Sequence, residues 1–184
     1  MVFQSPEFAI RAALLDHGTP CLAYSLEEPL KVAFHPEKIR ALKLEPGPWL
    51  TAMRRLLQQR APEDCRLTIN GRSFELAELA AAIARLLPGN KIAYVTDLAF
   101  SPANLEPLLK LIDRADLLLC EAAFLEDAAA KAAAACHLTA AQAGRLAAGA
   151  GVGRLRLFHF SPRHRHTEAE FARQAAAAFA GPIE

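Results

Sequence analysis

The chain has 184 residues, of which 53% are hydrophobic and 22% are charged, and its formal net charge is +1 at pH 7. This composition suits one globular domain with a sizeable apolar core, and it excludes a disordered chain. A net charge this small also excludes recruitment of nucleic acid by the field of the whole molecule. Any polyanion must therefore bind to a local basic patch.

The four cysteines show no Cys-x-x-Cys spacing, and Cys21 and Cys120 lie in apolar runs. This pattern predicts reduced thiols and argues against a structural zinc knuckle. The first residues lack a basic region, and no segment approaches the roughly 18 consecutive apolar residues of a membrane span. We therefore expect a soluble, cytoplasmic protein that does not bind a membrane.

Two short strands, at residues 8–14 and 21–26, are predicted first, and a turn that contains His17 joins them. The next segment, residues 30–89, changes in pattern and is predicted to be an inserted, flexible arm-like subdomain. Its predicted elements are helices at 36–44, 49–59 and 75–87 and a hairpin that turns at Asn70-Gly71.

After residue 90 the predicted strands alternate with helices, which indicates an α/β (α+β) fold with covered strands. The strands are expected at 92–96, 117–120 and 155–160, and the helices at 103–112, 122–136, 140–150 and 168–180. The alanine-rich helices need no functional explanation, because alanine has the highest helix propensity.

Side chains that bind metals stand at the ends of these predicted strands. Asp97 and Glu121 each follow an apolar strand, His159 ends the last one, and His137 opens a predicted helix. Carboxylate and imidazole groups at successive strand ends are typical of a hydrolytic metal site.

Five segments extend this pattern: LDHGTPCLAY at 15–24, YVTD at 94–97, CEAAF at 120–124, HLTAAQA at 137–143 and HFSPR at 159–163. In order and spacing they resemble the ribonuclease Z family of the metallo-β-lactamase superfamily, the endonucleases that remove the 3′ trailer of precursor tRNA. HFSPR matches the family motif outright. Thr96-Asp97-Leu98 stands where the family has Gly-Asp-Thr, and Cys120 replaces the histidine of its HEATF segment.

By this resemblance Asp97 would bridge two zinc ions, with His17 on one ion and His159 on the other. A metal-bound hydroxide would attack the phosphorus. His137 would contact the scissile phosphate, and Glu121 would orient the imidazole of His137. The alternative for His137 is a purely structural position at a helix start.

The inserted segment resembles the flexible arm with which the family grips tRNA, through its Gly47-Pro48 pair. Arg54 and Arg55 follow on the same predicted helix, and Arg163 closes the HFSPR segment. Arginines at these positions would contact phosphates and so position the RNA. A basic helix face in solvent remains the alternative for each of these arginines.

The family's HxHxDH segment, which supplies metal ligands from the N-terminal half, does not occur among the 184 residues. We therefore expect an incomplete αββα sandwich, a single domain fragment over residues 1–184, with little or no activity on its own. The expected partners are precursor tRNA and either a separate N-terminal half or a second copy of the chain. A hydrolase of small molecules and a non-catalytic binding subunit are the alternatives.

Overall fold

The computed structural model describes residues 1–62, 64–162 and 167–184. The chain divides into two compact units. Residues 1–28 and 90–184 form the first, here called the sheet unit, and residues 29–89 form the second, called the inserted unit. The inserted unit has nearly the same bounds as the subdomain predicted at 30–89.

The strands are β1 (Phe3–Gln4), β2 (Ala9–Asp16), β3 (Pro20–Glu27), β4 (Lys31–Phe34), β5 (Arg66–Ile69), β6 (Arg72–Glu75), β7 (Ala84–Leu87), β8 (Lys91–Val95), β9 (Leu117–Glu121) and β10 (Leu155–Phe158). The helices are α1 (Pro36–Ala41), α2 (Pro48–Gln58), α3 (Leu76–Ile83), α4 (Pro102–Ile112), α5 (Ala129–Ala134), α6 (Ala140–Gly149) and α7 (Glu168–Ala176). No helix in these described ranges is long and apolar enough to cross a membrane.

The described strands of the sheet unit form one mixed sheet in the order β1-β2-β3-β8-β9-β10. Neighbours from β1 to β8 are antiparallel, whereas β8, β9 and β10 are parallel. Two antiparallel steps separate β2 from β8, so β2 runs in the same direction as β8, β9 and β10. The carboxyl ends of all four strands therefore lie at one edge of the sheet.

One face of this sheet is covered by helices. Helix α4 packs on β2 and β3, α6 packs on β9 and β10, and α7 packs on α6. Side chains that point to this face alternate with exposed ones, as the pleat of a half-buried strand requires. Leu118, Leu155 and Phe171 are completely buried in the resulting core.

The opposite face of the sheet carries large apolar side chains that remain 39–67% exposed. They are Leu14, Leu22, Tyr24, Leu26, Ile92 and Tyr94. The strand register places Leu14 opposite Leu22 and Tyr24 opposite Tyr94, so that they form one continuous surface. Contiguous apolar surface of this kind is typical of an interaction face.

The close approach of α6 and α7 depends on Gly144, because a Cβ there would lie 2.4 Å from the backbone oxygen of Ala175. We expect Gly144→Ala to destabilise the fold by about 1–3 kcal/mol through overpacking. Gly149→Ala in the same helix is the control, since its Cβ would meet Leu109 at an ordinary 3.7 Å. That change should stabilise the protein by about 0.4–1 kcal/mol. Urea unfolding of both variants measures the difference, and equal stabilities would contradict this role of Gly144.

The inserted unit has its own core, formed by Ile39, Leu44, Met53, Ile83 and their neighbours. Strands β5 and β6 form the predicted hairpin, with Asn70 at φ 50° and Gly71 at φ 76°, as a type I′ turn requires. Strands β4 and β7 pair antiparallel. The helix predicted over 75–87 is therefore wrong at 84–87, where pairing with β4 prevails over an apolar pattern that fits either element.

A second element prediction, a helix over residues 122–136, is also wrong in part. The chain stays extended after β9, and Phe124 forms an isolated bridge with Thr139. A 3₁₀ turn at Glu126–Ala128 then leads into the short helix α5. High alanine content favours a helix, but it does not fix where the helix begins.

Candidate metal centre

The side chains of the site lie at the carboxyl ends of four strands, β2, β8, β9 and β10. Asp97 follows β8, Glu121 ends β9, and His159 follows β10, while the turn after β2 holds His17. His159 has φ 63°, in the left-handed region that residues other than glycine rarely adopt. Backbone conformations of this kind concentrate at functional sites.

Asp97, Glu121, His137 and His159 form a compact group in which one potential ligand atom of each lies within 4.8 Å of the others. The Nδ1 of His159 lies 2.9 Å from Oδ1 of Asp97. The Nδ1 of His137 lies 3.1 and 3.2 Å from the two carboxylate oxygens of Glu121. The structure therefore joins both predicted catalytic side chains to two of the three predicted metal ligands.

His17, the third predicted metal ligand, does not belong to that four-residue group. The centroid of its ring lies 4.7 Å from that of His137. The ring centroids of His159 and His137 are 5.2 Å apart. The three imidazoles thus form one row in which His137 is central.

Each of these histidines places Nδ1 against an oxygen. The partner of His17 is the carbonyl oxygen of Cys136 at 2.8 Å, that of His137 is the Glu121 carboxylate, and His159 forms an ion-pair contact with Asp97. A carbonyl or a carboxylate oxygen only accepts hydrogen bonds, so in His17 and His137 it is Nδ1 that donates. In the neutral ring the Nε2 lone pair is then available, which is the tautomer that oxygen partners impose on metal-binding histidines.

The two carboxylates differ in environment. Burial alone would raise the pKa of Asp97, but the nearby His159 and hydrogen bonds from its own backbone N–H and from Thr96 together lower the pKa below its usual value. Glu121 is 0% exposed, and its Oε1 also accepts a hydrogen bond from the backbone N–H of Leu98. Asp97 is thus partly exposed to solvent. Glu121 is buried and holds the site through its hydrogen bonds with His137 and Leu98.

Two neighbouring side chains, Cys21 and Thr139, hold the loops of the site. The Cys21 thiol donates to the backbone carbonyl of Asp97 at 2.9 Å. Burial, with the charges of Asp97, Asp16 and Glu121, raises the pKa of Cys21, so the thiol keeps its proton. Thr139 caps α6 in a reciprocal capping box with Gln142 and thereby fixes the chain just after His137.

The donors fit a borderline metal ion such as zinc, which takes imidazole nitrogen and carboxylate oxygen together. A backbone carbonyl that accepts from Nδ1, as that of Cys136 does from His17, is one of the partners that orient metal-binding histidines in proteins. His17, Asp97 and His159 would hold the metal, while His137 and Glu121 form a hydrogen-bonded pair beside it. A catalytic zinc usually has about three protein ligands, so His17, Asp97 and His159 are too few for two ions even if Asp97 binds both.

The predicted RNA-binding residues of the inserted unit lie along α2. Gly47 and Pro48 begin the helix. Arg54 places its guanidinium 5.4 Å from the centre of the Phe34 ring. Arg55 lines a groove of about 670 Å³ together with Pro48, Thr51, Ala52, Leu56 and Gln59. Arg163 lies outside the described residues.

Known proteins are similar to this chain over nearly its whole length. No protein-family model matches the chain. Ribonuclease Z of Thermobifida fusca is 38% identical over 178 residues, which cover 96% of this chain and 51% of that protein. Ribonuclease Z of Deinococcus radiodurans is 34% identical over 179 residues, or 97% of this chain and 52% of that protein. The chain is homologous to about half of ribonuclease Z.

Solved structures support the fold of this ribonuclease Z homologue. The metallo-β-lactamase fold protein YhfI from Bacillus subtilis matches 99% of the chain with a TM-score of 0.56 at 17% identity, over 47% of its own length. The short form of human tRNase Z matches 89% of the chain with a TM-score of 0.52 at 21% identity, over 40% of its own length. The predicted metallo-β-lactamase fold is confirmed, and the chain spans about half the length of the relatives it matches.

Proposed function

We propose that this chain is one half of a zinc-dependent endoribonuclease that removes the 3′ trailers of precursor tRNA. The observation that supports it is the group of Asp97, Glu121, His137 and His159 at one sheet edge, in a chain homologous to half of ribonuclease Z. Because precursor tRNA is an intracellular substrate, we place the activity in the cytoplasm.

When bound, zinc would supply Lewis acidity and an activated water at neutral pH. The residues of this chain would do the remaining work. His17, Asp97 and His159 would hold the metal, and Glu121 would keep Nδ1 of His137 protonated. The imidazole of His137, in its charged form, would stabilise negative charge on the phosphate or protonate the leaving oxygen.

The ligand set and the exposed sheet face both indicate that the proposed enzyme needs a second half. Two facing sheets form the metallo-β-lactamase sandwich, and the apolar face with Leu22, Tyr24 and Tyr94 is open to solvent here. We propose that this face packs against a sheet from the remaining half of a ribonuclease Z, which would also add metal ligands. A second copy of the chain is the alternative partner, and it would bring the same ligand types only.

Co-expression tests this proposal directly. The 184-residue chain is produced alone and together with the half of Thermobifida fusca ribonuclease Z that it does not match. We expect the pair to co-purify with zinc and to cleave precursor tRNA, and the chain alone to show little zinc and little cleavage. The same pair with Tyr24→Glu in the 184-residue chain, which puts a charge on the apolar face, should not assemble.

Each other outcome has a definite meaning. Zinc-dependent turnover by the chain alone would overturn the need for a second half. Cleavage of a chromogenic small phosphodiester but not of precursor tRNA would favour a hydrolase of small molecules. A stable pair without zinc or cleavage would overturn the enzymatic proposal and favour a binding subunit.

The proposed contact of the inserted unit with tRNA is tested by the salt dependence of tRNA binding. Replacing Arg55, which lines the α2 groove, by alanine should weaken binding equally for different tRNA sequences. The slope of log K against log salt should fall by about 0.7–0.9, the contribution of one phosphate contact. Arg66→Ala is the control, because Arg66 is already paired with Glu75 at 2.8 Å in the same unit. Equal slopes for the two variants would remove Arg55 from the RNA contact.

A further inference from the structure

Asn104, in the first turn of α4, has no charge and no place in any motif of the chain, yet its side chain is only 2% exposed. The oxygen and the nitrogen of its side-chain amide both form hydrogen bonds with backbone groups. Its Oδ1 accepts from the N–H of Asp16 at 2.8 Å, and its Nδ2 donates to the carbonyl oxygens of Asp16 and Ala99, both at 2.8 Å. A buried amide with three backbone partners is a rigid connection.

The segments that Asn104 connects are those that carry two of the proposed metal ligands. Asp16 immediately precedes His17, and Ala99 follows Asp97 by two residues. A backbone hydrogen bond from Ala99 to Asp16, at 2.9 Å, joins the same two segments. Asn104 therefore fixes both polar groups of the Asp16 backbone and sets the spacing of the His17 turn from the Asp97 loop.

We propose that Asn104 is a positioning residue for the metal centre, acting through the backbone of Asp16 on the imidazole of His17. This inference rests on the proposed function for its meaning, but its first readout does not. The His17 ring reaches Cys136 with Nδ1 and lies beside His137, so a shift of the turn by a fraction of an ångström changes both contacts. Sites of this kind require positions held to within about 0.5 Å.

Asn104→Asp is the sharpest variant, because it keeps the shape and the acceptor but removes both donors and turns a carboxylate toward two carbonyl oxygens. Ser101→Ala is the matched control. Ser101 caps the same helix and accepts from the backbone N–H of Asn104, and the hydrogen bonds to Asp16 do not involve its side chain. Both variants should lower the Tm, since each removes a hydrogen bond at the start of α4.

The first measurement is ¹H–¹⁵N NMR of the imidazole nitrogens in the metal-free 184-residue chain. We expect the wild type and Ser101→Ala to show His17 with a protonated, hydrogen-bonded Nδ1. Asn104→Asp should lose that signal and show the mixed tautomers of a free imidazole. If Asn104→Asp does not fold, the same spectrum of Asn104→Gln, whose longer side chain displaces the amide, serves as the test with the same expectation.

The second measurement is zinc affinity in the co-expressed pair, which should fall about 10- to 100-fold in the Asn104 variant and stay unchanged in Ser101→Ala. A lowered Tm with an intact His17 signal would overturn the positioning role. Failure of the wild-type pair to bind zinc would overturn the proposed function instead, and the NMR comparison would still decide the role of Asn104.

Discussion

Replacing Asp97 by asparagine should abolish zinc binding in the co-expressed pair and reduce cleavage of precursor tRNA by more than about 100-fold. The expected loss exceeds the 10- to 100-fold that is typical of groups that only orient a ligand, because Asp97 is proposed to bind the metal itself. Asparagine keeps the shape and one oxygen acceptor toward Nδ1 of His159, so the fold should tolerate the change. Zinc content and single-turnover cleavage are the measurements.

Asp116→Asn provides the control for the Asp97 prediction. Asp116 directly precedes β9 and accepts a hydrogen bond from the backbone N–H of Lys91 at the start of β8, so the same charge is removed at the opposite end of the parallel strands. Zinc content and cleavage should stay at the wild-type level. An Asp97→Asn pair that retains full zinc content would show that this carboxylate is not a ligand, and the metal would then have to be held by other side chains.

The edge of the sheet that carries the site could be predicted from sequence, because each ligand follows a short, strongly apolar strand. Glu121 ends such a strand, Asp97 and His159 follow one within two residues, and parallel strands bring their carboxyl ends together. The predicted strands fall within a few residues of β2, β3, β8, β9 and β10. What the sequence did not provide is the row of imidazoles, since the contact of His17 with His137 joins segments that are 120 residues apart.

The errors have physical causes that belong to tertiary structure. Residues 84–87 fit the end of a helix until β4 is available as a partner, and β4 itself is too short to stand out in the sequence. The segment after Glu121 is extended because Phe124 pairs with Thr139 beside the site. Asn104 escaped notice because an isolated asparagine in a helix start is most simply explained as a local cap. Contacts over long sequence distances decide each of these cases.

His137→Ala should have the largest combined effect on stability and chemistry. Glu121 is completely buried, and alanine would remove its imidazole partner while the carboxylate stays in place. Loss of a hydrogen bond to a charged group costs about 1.5–3 kcal/mol, and loss of a general acid costs about 10²–10⁴-fold in rate. Urea unfolding of the 184-residue chain and single-turnover cleavage by the co-expressed pair measure the two effects separately. His35→Ala removes a half-buried histidine of the inserted unit whose contact is with the exposed Glu37, and it should change neither by a comparable amount.

A double variant separates the structural role of His137 from its chemical role. Adding Glu121→Gln to His137→Ala replaces the unpaired buried carboxylate by a neutral amide that still accepts from Leu98 through its oxygen. Stability should recover toward the wild type, whereas cleavage should stay as low as in His137→Ala alone, because no proton donor has been restored. If cleavage recovers together with stability, then His137 acts only by holding Glu121 and the fold around it. If neither recovers, then His137 stabilises the site through its ring contacts with His17 and His159 more than through Glu121.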